Sequence, residues 1–281
     1  MQALHFNENP GENDPEPSDR LYKIRPLLDF FEKRMREIDY PNRSLSLDES
    51  MLLWRGRLLF RQYVQGKRHK FGIKIYMLTE PSGLVHRLLI YAGAGDKDVG
   101  GKGHAGKVVH SLLTDFKNKG HAIYMDNFYN SVELSRQLLR EKTYTTGTLR
   151  SQRVNNPPDV IKQKLRKGEE FHQWSDDGVC VLKWRDRREV LALSTEFGAE
   201  MVEVLGKRNV RKPRAVVEYN RCMGGIDHFD QYMSYYTCEH RTLKWYKKVA
   251  IHIFQIMLLN SYLLYNKYSG EKRICMTLGM K

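Results

Sequence analysis

The sequence predicts an α/β protein, with a mixed five-stranded sheet flanked by helices and interrupted by a β-rich insertion. Over residues 21–150, short apolar runs of strand period alternate with longer runs of helical period. Over 151–218 the pattern changes to proline breaks and short strands, and after 219 it becomes helical again. Apolar residues make up 41% of the 281 positions and aromatics 11%, which is enough for a packed core.

Residues 1–20 are polar and proline-bearing and read as a flexible acidic lead without the apolar stretch of a signal peptide. Pro26 suits the first turn of a helix running to about Ile38, with Leu27, Phe30, Phe31 and Met35 as its apolar face. Ser44–Asp48 has period two and ends on an acid. Phe71–Thr79 and Leu84–Ala92, separated by Pro81-Ser82-Gly83, read as a hairpin. Gly106–Lys119 has helical spacing and closes at Gly120. His121–Met125 is a short buried strand that again ends on an acid, Asp126. Val132–Leu139 reads as a helix and Tyr144–Leu149 as a Thr-rich strand. Within 151–218, Val179–Trp184 and Glu189–Ser194 are short strands. Tyr219–Tyr236 and Leu243–Tyr268 are mostly helical, and 269–281 is a tail. A three-stranded antiparallel meander followed by βαβ crossovers is the order of a ribonuclease-H-like fold. The parts are then 21–150 and 219–268 for the two segments of that fold, with 151–218 as a basic insertion domain.

The net charge is +14, from 47 Lys and Arg against 33 Asp and Glu. The acidic lead holds Glu8, Glu12, Asp14, Glu16 and Asp19 against Arg20, so the rest of the chain carries about +18. Such a body suits a polyanion, nucleic acid above all. The cysteines, Cys180, Cys222, Cys238 and Cys275, form no C-x-x-C and no zinc spacing, which fits a reducing compartment. Val249–Leu264 is apolar but short for a membrane span and holds His252, Gln255, Asn260 and Ser261, so a buried core helix is expected and no membrane partner.

Asp48 and Asp126 each follow a predicted strand, and Asp227 lies on a later helix behind Gly224-Gly225. Asp230, three residues on, shares its face. A lone strand-end Asp is more often a cap or turn residue. The sequence around all three is more specific. Ser46-Leu47-Asp48-Glu49-Ser50, Arg55-Gly56-Arg57 and Lys70-Phe71-Gly72-Ile73-Lys74 resemble the first acidic block of piggyBac-type transposases. Met125-Asp126-Asn127-Phe128-Tyr129-Asn130-Ser131 resembles the second. Tyr219 through Gln231, with Gly224-Gly225-Ile226-Asp227, resembles the third, and Arg241-Thr242-Leu243-Lys244-Trp245 the segment after it. The blocks stand in family order across roughly 21–268.

The resemblance implies an Asp48–Asp126–Asp227 triad holding two Mg2+ or Mn2+ ions; Asp230, on the face of Asp227, is a candidate accessory ligand by its spacing. It implies cleavage of double-stranded DNA by water, attack of the freed 3′-hydroxyl on the opposite strand to form a hairpin, and later joining at TTAA target sites. It also implies a nuclear location, and leaves a homodimer open. Family members carry N-terminal DNA-binding and C-terminal Cys-rich segments that have no match here. An active strand-transfer core and a truncated or domesticated, non-catalytic DNA-binding descendant therefore both stand.

Lys207, Arg208, Arg211, Lys212 and Arg214 form a basic run that suits phosphate contact or nuclear import, or a solvated loop. Arg55 and Arg57, close to Asp48 in sequence, suit a phosphate clamp or a surface ion pair. Lys67-Arg68-His69-Lys70 is equally ambiguous. Trp174 and Trp184 are expected to pack the insertion's core rather than stack on bases. Gly101–Lys107 imitates a phosphate-binding loop, but Val108 stands where that loop needs a hydroxyl, so no nucleotide cofactor is expected.

Overall fold

The computed structural model describes residues 4–11, 13, 15, 17–67, 69–204, 210–235 and 242–270. A 3-10 turn, Tyr22–Ile24, leads into α1, Arg25–Ile38, with Pro26 in its first turn. Then come β1 (Ser44–Leu53), β2 (Gln62–Tyr63), β3 (Phe71–Thr79), β4 (Val85–Ile90), α2 (His104–Leu112), β5 (Ala122–Met125), α3 (Val132–Arg140) and β6 (Tyr144–Thr148). Next are α4 (Pro158–Lys162), β7 (Glu170–Trp174), β8 (Cys180–Arg185), β9 (Glu189–Ser194), β10 (Met201–Val204) and β11 (Val210–Pro213). The last helices are α5 (Arg214–Cys222), α6 (Gly225–Tyr235) and α7 (Trp245–Tyr268).

The strands form a large mixed sheet in the order β2-β3-β1-β5-β6-β9-β8-β7, with β4 also on β3, while β10 and β11 pair apart. The sheet has nine strands where five are expected, because β9 pairs antiparallel with β6 and carries β8 and β7 into it, and the short β2 pairs antiparallel with β3. The chain divides into two compact units. One comprises 1–40, 49–101 and 226–281, and the other 41–48 and 102–225.

In the first unit, α1, β3, β4 and α7 build one core around Leu28, Phe31, Ile73, Ile75, Val85 and Ile253. Leu28 takes the inward place expected of Phe30, which is exposed. By length and composition α7 is apolar enough to cross a membrane. Its inner residues, among them Val249, Ile253, Ile256 and Leu263, sit in this core. The polar break at Asn260 has a use. Its amide accepts from Val85 N at 3.0 Å and donates to Val85 O at 2.7 Å, satisfying two backbone groups of β4.

In the second unit, β1 runs parallel to β5, and β5 parallel to β6. Ser131 caps α3, its hydroxyl accepting from Leu134 N at 3.2 Å. Trp184 packs with Leu182, Ala215 and Val216, as expected, but Trp174 lies exposed on strand β7, which ends the sheet. Burial pushes the Cys180 thiol up to about 12.

Three element boundaries differ from the sequence expectation. The helix expected over Gly106–Lys119 ends at Leu112, and the turns that follow need left-handed backbone at Asn118 and Gly120. Residues 219–236 hold the end of α5 and all of α6, broken at Met223–Gly224, rather than one helix. β1 continues to Leu53, so Asp48 lies inside a strand and not at its end.

Candidate active site

The four candidate carboxylates divide between the units. In the second unit, β1 and β5 pair in register from Ser44↔Ala122 to Leu47↔Met125. Asp48 and Asp126 are the next residues on the two neighbouring chains, both half-buried. β5 is buried throughout and stops at Met125, where the chain turns. The turn is built on Asp126 itself. Its Oδ1 accepts from Phe128 N at 2.8 Å, and its backbone carbonyl accepts from Asn130 N at 3.1 Å.

Two arginines close on this turn. Arg150 Nε donates to Asn127 Oδ1 at 3.0 Å, and its guanidinium lies 5.7 Å from the centre of the Phe128 ring. Arg153 donates to the Phe128 carbonyl and, at 3.4 Å, to that of Asn127. Burial lowers the Arg153 pKa, Arg150 adds to this, and Asp126 opposes it. Neither arginine stood out in the sequence. The available signal was position: β6 is parallel to β5, so residues leaving its C-terminal end emerge at the same sheet edge as Asp126.

In the first unit, Ile226 and Phe229 are fully buried and anchor α6. Asp227 stands exposed in its first turn, and Asp230 follows one turn later. Ser50 Oγ donates to Asp230 Oδ1 at 2.6 Å. Burial raises the Asp230 carboxyl above the ordinary aspartate value. The Ser50 bond, Lys67 and His69 pull it down, and Asp227 pushes it further up. Lys67 Nζ donates to Glu49 O at 2.6 Å, and Lys74 lies 3.8 Å from the Glu49 carboxylate.

The basic candidates are spread out. Arg55 and Arg57 are exposed after β1, and Arg61 donates to the Arg55 carbonyl at 3.0 Å. Arg211 is exposed on β11, and Lys212 beside it is half-buried. Arg214 opens α5, 3.5 Å from the Glu200 carboxylate and 5.3 Å from the centre of the Phe197 ring. Lys207, Arg208 and Arg68 lie outside the described residues, as do Cys238 and Cys275.

One further group could hold a metal ion. Asp39, Glu80 and His86 are buried in the first unit with possible ligand atoms within 4.8 Å of one another. Their positions in the sequence show no metal-ligand spacing. Lys267 Nζ lies there, donating to Asp39 Oδ2 at 3.0 Å and Glu80 Oε1 at 2.9 Å, and the Tyr268 hydroxyl donates to Asp39. Burial works against the Lys267 ammonium, but its bonds to Glu80 and Asp39 outweigh this and raise its pKa.

A family model described as Transposase IS4 matches residues 1–262. The human PiggyBac transposable element-derived protein 3 is 26% identical over 288 residues, spanning 95% of this chain and 47% of that protein. The human PiggyBac transposable element-derived protein 2 is 24% identical over 283 residues, spanning 93% and 46%. The chain thus spans about half the length of these curated relatives. Among solved structures, a piggyBac transposase in a synaptic complex with hairpin DNA superposes with a TM-score of 0.79 at 26% identity, covering 90% of this chain and 54% of that one. With the mixed sheet, the acidic blocks and these matches in agreement, the chain belongs to the Transposase IS4 family and, within it, to the piggyBac-type transposases.

Proposed function

We propose that this chain is the catalytic core of a piggyBac-like DNA transposase, cutting and joining double-stranded DNA with Asp48, Asp126 and Asp227. The observation that carries this reading is the in-register pairing of β1 with β5, which makes Asp48 and Asp126 neighbours. Asp230 serves as an accessory ligand. The donors are all carboxylate oxygens, the chemistry Mg2+ and Mn2+ prefer. Two such ions, when bound, would supply activation of the attacking oxygen and neutralisation of the leaving one.

The residues of the chain hold the reacting groups in line. In the first cut a water oxygen bonds to phosphorus, the bond from phosphorus to the 3′-oxygen breaks, and that oxygen takes a proton to become a 3′-hydroxyl. The hydroxyl then attacks phosphorus in the opposite strand, expelling the flanking DNA's 3′-oxygen and giving a hairpin; water opens the hairpin to restore the element's 3′-hydroxyl, which joins a TTAA target by displacing a target 3′-oxygen. Arg55, Arg57 and the run from Lys207 to Arg214 contact phosphates, and the protein works in the nucleus.

The test is metal-dependent nicking of a short duplex by wild type and Asp227→Ala at matched DNA occupancy. Loss of nicking in the variant supports the triad, and equal activity refutes it. A second reading is a non-catalytic DNA-binding descendant. It is favoured by the element-derived relatives. DNA binding without nicking in either protein would establish it.

A further inference from the structure

Asn130 is fully buried four residues beyond Asp126, and both ends of its amide are engaged. Nδ2 donates to the Thr148 carbonyl at 3.2 Å, while Oδ1 accepts from Ser135 Oγ at 3.2 Å. Ser135 Oγ in turn accepts from Thr145 Oγ1 at 2.9 Å. Ser135 and Thr145 are also fully buried. This relay ties the turn after β5 to α3 and to β6. A buried polar chain with its members satisfied fixes one arrangement, because any slip leaves a donor or acceptor stranded away from water.

The far side of the turn is equally tight. Gly147 stands opposite Met125, the residue before Asp126. A Cβ there would meet the Met125 carbonyl oxygen at 1.9 Å and Asn130 Nδ2 at 3.0 Å, so only glycine lets the strand and the amide approach this closely.

We infer that Asn130 is a positioning residue that sets the Asp126 carboxylate for metal binding, acting through the Asp126–Asn130 turn. The main-chain bond from Asn130 N to Asp126 O closes the turn that the Asn130 amide anchors to β6 and α3. Outer partners that orient a ligand typically govern about 10- to 100-fold in metal affinity or activity. The inference rests on the proposed role of Asp126 as a metal ligand.

The experiment is Mn2+ titration of the purified chain, with free Mn2+ read by electron paramagnetic resonance and folding checked by thermal melt. The proteins are wild type, Asp126→Asn, Asn130→Ala and Asn130→Thr. Asp126→Asn should lose the site. Asn130→Ala should bind about tenfold more weakly. Asn130→Thr, whose shorter hydroxyl can serve only one of the two partners, should recover part of that loss. If Asn130→Ala fails to fold, Ser135→Ala takes its place with the same expected weakening. Wild-type affinity in Asn130→Ala or its substitute, with binding lost in Asp126→Asn, overturns the inference and leaves the metal-centre reading standing. Unchanged binding in Asp126→Asn, or none in wild type, overturns that reading and the inference with it.

Discussion

Lys267→Met should be one of the most damaging single changes to the first unit. Lys267 lies on the last turn of α7 and joins it to Asp39, which follows α1, and to Glu80, which follows β3. The Asp39 side chain is fully buried and that of Glu80 is 5% exposed. Removing the ammonium leaves two carboxylates facing each other away from water. Breaking a buried pair from one side costs about 3–5 kcal/mol. Lys267 keeps some solvent contact, and His86 Nε2 lies 3.3 Å from Glu80, so the lower end applies, about 3 kcal/mol. Equilibrium urea unfolding near neutral pH should show this loss. Adding Asp39→Asn and Glu80→Gln to Lys267→Met should recover most of it, since no bare charge then remains. The raised Lys267 pKa gives the pH dependence. Its stabilisation is complete below the ordinary lysine value of 10.5 and is lost as pH rises through the higher folded value. A loss below about 1 kcal/mol, or no recovery in the triple variant, would refute the view that Lys267 neutralises the cluster.

Thermal melts with excess Mg2+ or Mn2+ should rise relative to metal-free protein, and the Asp48→Asn, Asp126→Asn double variant should abolish the rise. Duplex DNA binding should weaken steeply with salt, and neutralising Lys207, Arg208, Arg211, Lys212 and Arg214 should flatten the slope by about 0.9 for each phosphate that the protein no longer neutralises. Filter binding at a series of salt concentrations measures this, and an unchanged slope assigns the run to solvent or import. Burial, with Lys248 adding, drives the His252 imidazole down to about 4, so its contribution is lost as pH falls from 6.5 through that value. His252→Leu should therefore resist acid unfolding, with a gain on the order of 3 kcal/mol at pH 3 relative to pH 7 in urea melts.

The place of Asp126 directly after a strand was legible because that strand is short, wholly apolar and closed by an acid. Asp48 was legible as a residue but misplaced as a strand end. Asp48-Glu49-Ser50 reads as the polar exit of a strand, yet β1 runs on beside β3, and its polar residues find partners: Ser50 bonds to Asp230, and Glu49 is met by Lys67 and Lys74. Those partners lie far along the chain, where periodicity gives no hint of them. The same limit hid the antiparallel pairing of β9 with β6, which draws the insertion strands into the main sheet. Arg150 and Arg153 escaped notice because their importance comes from the parallel register of β5 and β6.

The two acidic groups of the first unit differ in how their charge is met. At Asp39 and Glu80 the chain supplies its own cation, and the strength of those contacts is visible in the raised Lys267 pKa. At Asp230 the balance goes the other way. Ser50, Lys67 and His69 favour the ionised form, yet burial and the neighbouring Asp227 leave the carboxyl raised. A group in that state is protonated more readily folded than unfolded, so its contribution to stability falls as pH rises above the ordinary aspartate range of about 4. The first group is a finished ion cluster that fastens α7. The second is an acidic pair on α6 whose buried member is held by Ser50 rather than by a bonded cation of its own.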